Sequence, residues 1–169
     1  MVLGMSLHAY TGLHILISFT AIASGVVVMR GLLTSRRMDG LTAFFLIMTA
    51  LTDITGLLFP FHGVTPAIKL SVISLVVLAI AIGARYPLPR WRKTYVIAAC
   101  ASLYFNMFVL VVQSFEKVPA LRAVAPTQEE APFAIAQLTV LVIFVVLTAL
   151  AVKKFHPEAQ AAAKVASAA

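Results

Sequence analysis

Five stretches of about twenty apolar residues, 10–33, 41–60, 66–85, 95–115 and 132–153, leave this chain few ways to fold. A helix needs about 20 such residues to cross the hydrocarbon of a bilayer. In lipid each backbone N–H and C=O must also find a partner within the protein, which a helix supplies along its own length. The sequence therefore predicts an all-α integral membrane protein, a bundle of about five transmembrane helices. Composition agrees, because only 11% of the 169 residues are charged, against about a quarter in soluble domains.

Turn-forming residues divide the blocks. Asp39-Gly40 precedes the second, Pro60 to Pro66 separates the second from the third, and "YPLPRWRK" separates the third from the fourth. The last two are joined by "EKVPALRAVAPTQEEAP", an outer loop at 116–131 whose Pro and Ala content predicts a compact lid. Within it, Thr127 and Glu130 stand at capping-box spacing before an apolar run. Residues 1–155 are expected to form a single transmembrane helical domain, and 156–169 an Ala-rich, disordered cytoplasmic tail. The first block lacks a positive leading segment and runs on past "AIASG", so it reads as a retained span rather than a cleaved signal.

The net charge of +7 does not imply nucleic acid, because the cations fall in short clusters between apolar blocks. Ten of the thirteen Lys and Arg belong to alternate connections: Arg30, Arg36, Arg37, Arg85, Arg90, Arg92, Lys93, Lys153, Lys154 and Lys164. The other connections hold Lys69, Lys117 and Arg122. Positively charged loops stay in the cytoplasm, which predicts an outside N-terminus and a cytoplasmic C-terminus, as in a bacterial plasma membrane protein. Trp91, Tyr86 and Tyr95 would form a belt at the inner surface, with Tyr10, Phe61 and Phe115 at the outer. The lone Cys100 excludes an intrachain disulfide and reads as a small core residue.

Against this background the polar residues inside the spans are the candidates for function. Asp53 is the only charged side chain between Leu41 and Phe59. An intramembrane carboxylate costs about 2.5–3.5 kcal/mol on insertion scales. At about 1.5 Å per residue it lies roughly 10 Å below the outer face. His14 and Gln137 come to similar depths, Asn106 lies deeper, and Gln113 sits near the outer end of its span. At 100° per residue these groups fall on narrow stripes. One holds Thr11, His14, Ser18 and Gly25, a second Thr49, Asp53, Gly56 and Pro60, and a third Ser102, Asn106 and Gln113. Such stripes face the bundle interior, where they either glue helices or line a site. The inner half of the bilayer is read as nearly bare of polar groups.

Three functions follow from this pattern. In the first, Asp53 with His14, flanked by Asn106, Gln137 and Gln113, binds a proton, cation or small polar ligand from the outer side. Transport by such a chain would require a homo-oligomer, since an odd span count cannot split into equal repeats. In the second, the chain is a non-catalytic subunit or assembly factor docked on a partner membrane subunit. In the third, His14, His62 and Asp53 hold a metal or a b-type haem, or bind a quinone. No cofactor is singled out, because CxxCH, HExxH, GxSxG and phosphate-cradling Gly loops are all absent.

Overall fold

The computed structural model describes residues 2–60, 63, 66–85 and 91–156. They form six helices: α1 Leu7–Leu33, α2 Asp39–Leu57, α3 Pro66–Arg85, α4 Arg92–Lys117, α5 Pro119–Val124 and α6 Ala131–Lys154. All except α5 are long and apolar enough to cross a membrane. These helices extend beyond their apolar blocks where polar residues continue or start a helix. Ser6 begins α1 by accepting a hydrogen bond from Ala9 N–H at 3.2 Å, an N-cap in the usual sense. Prolines open α3 and α5 and stand in the first turn of α6, where their missing N–H leaves no bond unmade.

Helices α1 to α4 form an antiparallel ring, each packed on the next, with α4 closing back onto α1. The fifth span, α6, lies in the groove between α1 and α4. The ring has two poles: the N-terminal pole, where α1 begins, and the C-terminal pole, where α6 ends. Its middle is apolar, built from Val28, Leu32, Phe45, Leu46, Leu78, Val96 and Leu103 among others. Gly25 sets the closest approach in this layer. A Cβ there would stand 2.6 Å from Leu103 Cδ1 and 2.7 Å from Phe45 Cε2, so any side chain would have to displace these two side chains from their packing. Beside this seam Cys100 is 1% exposed, with its Sγ 3.9 Å from Met29 Sδ of α1.

The turn from α1 to α2 places Ser35 at φ +56° and bonds Arg36 N–H to the Gly31 carbonyl at 2.8 Å. That bond closes the end of α1 as in a Schellman motif. Ser35 Oγ in turn accepts the His156 N–H at 2.7 Å, tying the end of α6 to the same turn. Arg92 donates to the carbonyls of Val152 and Phe155 at 3.0 and 2.6 Å, satisfying the open C-terminus of α6.

Several expectations change. The outer loop is not a lid over the ring: α5 packs on the end of α4, its own stem. Thr127 and Glu130 do pair, through Thr127 N–H and Oγ to the Glu130 carboxylate at 3.2 and 3.0 Å, but Glu130 itself is the N-cap of α6. Tyr10, Tyr95 and Phe115 are buried in protein rather than forming surface belts, and Trp91 is exposed. Phe61, Tyr86, and the tail from 157 on lie outside the described residues. The C-terminal pole also carries buried polar groups that the sequence pattern missed: Thr42, Ser35 and Arg85.

Candidate functional site

The stripe on α2 faces inward as its periodicity requires. Thr42, Phe45, Leu46, Thr49 and Asp53 are the buried residues of that helix. Each polar member meets a different neighbour. Asn106 of α4 donates its amide N–H to Thr49 Oγ1 at 3.2 Å. One turn on, Ser74 of α3 donates its hydroxyl to Asp53 Oδ2 at 2.7 Å. The Asp53 residue is 7% exposed. Among the described residues the ion pairs are Arg37–Asp39, Arg85–Asp39 and Lys117–Glu116, so Asp53 has no cationic partner.

His14 does not pair with Asp53. Its Nδ1 lies 2.8 Å from Thr55 Oγ1 on α2. The same residue takes a second bond from α1, because the Tyr10 hydroxyl donates to the Thr55 carbonyl at 2.7 Å. Phe59 packs edge-on against both rings, at 5.0 Å from Tyr10 and 5.3 Å from His14. Position 56 joins the two halves of the site. A Cβ at Gly56 would stand 3.4 Å from Ser71 Oγ of α3 and 3.7 Å from His14 Cε1, so these side chains flank the same stretch of α2. Ser71 and Ser74 are three apart and share a face of α3. His14, Ser71, Ser74 and Asp53 thus border one seam running from the N-terminal pole into the ring.

The remaining candidates separate. Gln137 donates to the Phe108 carbonyl at 3.2 Å, an α6–α4 contact, and its Oε1 is buried without a partner. Gln113 is exposed. Asn106 joins the site only through Thr49. His62 lies outside the described residues, and among those described no three His, Cys, Asp or Glu side chains stand close enough to share an ion. His8 and His156 are exposed.

Three residues of the seam, Thr55, Ser71 and Ser74, were missed by sequence reasoning. Hydroxyl residues are common in membrane helices as packing glue, and only the arrangement of α1, α2 and α3 distinguishes these. Missed also was Asp39 with Arg85. Asp39 reads as a turn residue in sequence. In the structure it opens α2 and takes the Arg85 guanidinium, which also lies 5.0 Å from the centre of the Tyr95 ring.

The seam offers a carboxylate without a counterion among the described residues, an imidazole and three hydroxyls, which together can accept and pass a proton or hold a small cation. Compared with known protein families, curated proteins and solved structures, the chain matches none.

Proposed function

We propose that this is a small polytopic membrane protein, oriented N-out and C-in in a bacterial plasma membrane, whose Asp53–His14 site takes up a proton or small cation from the outer side for transport. The observation that carries this reading is the environment of Asp53: a carboxylate 7% exposed, held by one serine hydroxyl and, among the described residues, by no cation. Helix packing alone does not require an ionisable group there, since an Asn would accept the same hydroxyl. An intramembrane carboxylate retained without that need points to function. The orientation rests on the cation bias toward the C-terminal pole.

The test is proton uptake into vesicles reconstituted with the protein and an internal pH dye. Asp53→Asn is expected to slow uptake at least about tenfold, as loss of a positioned proton acceptor does. A variant as fast as the wild type, or a wild type no faster than empty vesicles, ends the reading.

A non-catalytic subunit or assembly factor is the second reading, favoured by α6. Only 6% of its apolar window is buried, against 44% for α4, which leaves a full helix face for lipid or for a partner span. Cross-linking that captured one defined membrane partner, with no proton uptake by the wild type, would favour this reading over the first.

A further inference from the structure

Resting on the reading of the Asp53–His14 seam, a count of hydrogens at Thr55 identifies which atom of His14 is open to chemistry. Thr55 Oγ1 lies 2.6 Å from the Leu51 carbonyl and 2.8 Å from His14 Nδ1. A threonine hydroxyl has a single proton. Two oxygens at 2.6 Å need that proton between them, a normal O–H···O length, and would repel without it. The hydroxyl therefore donates back to Leu51, one turn earlier on α2, a common arrangement for Thr in a helix. It has no proton left for the imidazole, so His14 Nδ1 must carry the hydrogen and donate to Thr55. A neutral imidazole has one N–H. The lone pair is then on Nε2, which has no hydrogen-bond partner among the described residues.

We infer that Nε2 of His14 is the atom through which a proton enters the seam, and that Thr55 is the positioning residue that keeps it available. Proton binding there forms one new N–H bond from the Nε2 lone pair and breaks one O–H bond of a hydronium ion at the N-terminal pole, whose bonding pair stays on oxygen as it leaves as water. The ring becomes imidazolium while Nδ1–H stays on Thr55. With the opposite tautomer, protonation would fall at Nδ1 and force the Thr55 contact to break or reverse. The device therefore lets His14 change charge without moving α1 relative to α2.

Among the described residues, other titratable groups near the ring are few. On α1 they are Tyr10, whose hydroxyl donates to the Thr55 carbonyl, and His8, exposed toward the pole. On α2 the nearest is Asp53, and on α3 it is Lys69, two residues before Ser71 and exposed. On α4 the titratable groups at this pole are Glu116 and Lys117, exposed at the helix end and paired with each other; Asn106 and Gln113, deeper on the same helix, do not titrate.

The chain has four histidines, so protein labelled with ¹⁵N-histidine in lipid nanodiscs gives four imidazoles, and His14→Gln assigns the signals of His14. The expected result is a hydrogen on Nδ1 and a bare Nε2 in the neutral ring, with Nε2 gaining the proton on acidification. Thr55→Val should move the neutral ring toward the Nε2–H form, and Thr55→Ser should restore the wild-type pattern. A wild-type ring bearing its hydrogen on Nε2 overturns the inference, as does an Nδ1–H form unchanged in Thr55→Val. Because the readout is at the His14 nuclei, its failure leaves the Asp53 uptake test standing. Failure of that uptake test in turn leaves these signals unchanged.

Discussion

The chain has only two aspartates, fourteen residues apart at opposite poles of one helix, and they are treated in opposite ways. Asp39 opens α2 with its side chain 60% exposed and two guanidiniums on it: Arg37 at 2.9 Å, and Arg85, whose own side chain is 6% exposed. Asp53 has one serine hydroxyl and almost no solvent. At Asp39 the carboxylate is the counterion of a buried cation, and it lies at a helix N-terminus, where negative charge is favoured. At Asp53 no partner among the described residues requires the charge. The contrast separates a carboxylate that holds the bundle together from one that the bundle holds.

If that contrast is right, the two positions should dissociate stability from activity. Asp39→Asn leaves Arg85 buried without its carboxylate. Breaking a fully buried pair in this way costs about 3–5 kcal/mol, and with Asp39 itself exposed the expected loss is about 1–3 kcal/mol, read from denaturation in detergent. Proton uptake by this variant should stay near the wild-type rate. Asp53→Asn should do the reverse, slowing uptake at least about tenfold while changing stability by no more than about 1 kcal/mol, within the range of single hydrogen bonds between membrane helices. Equal destabilisation by both substitutions would break the comparison.

A finer separation comes from carboxyl carbons. Aspartate-selective ¹³C labelling gives two signals, and Ser74→Ala should displace the titration midpoint of Asp53 alone, Arg85→Gln that of Asp39 alone. Movement of both by either variant would mean that the poles are coupled through α2. Smaller still is Asn106→Leu, which removes the bond to Thr49 and should cost about 0.6 kcal/mol, the mean for such bonds. Gln113→Ala, on an exposed residue, should stay within about 0.5 kcal/mol and leave uptake unchanged. A marked loss of uptake there would return Gln113 to the site.

The number and placement of the five long apolar helices were legible because a helix that can cross hydrocarbon needs an apolar block of a set length. The ends were less so, since hydropathy cannot see that Asp39, Arg92 and Lys93 belong to helices beyond the apolar blocks, or that α2 stops at Leu57 before Pro60. Periodicity chose the inward face of α2 correctly from Thr49 to Asp53. It failed at Gln113, which shares an angular position with Asn106 yet is exposed. Pairing was the least legible level. Depth alone made His14 a partner for Asp53, but which hydroxyl each would meet depends on helix order around the ring, and that order is not encoded in any one span.

Cys100 gives the protein an internal reporter. Its thiol is the only one in the chain and is closed between α1 and α4 against Met29, so a membrane-permeant alkylating reagent can reach it only when those helices part. The rate of that single modification, followed by mass, would therefore clock the opening of the ring in a native bilayer without a label or an engineered site. It would also show whether taking up a proton at the far seam loosens the bundle or leaves it shut.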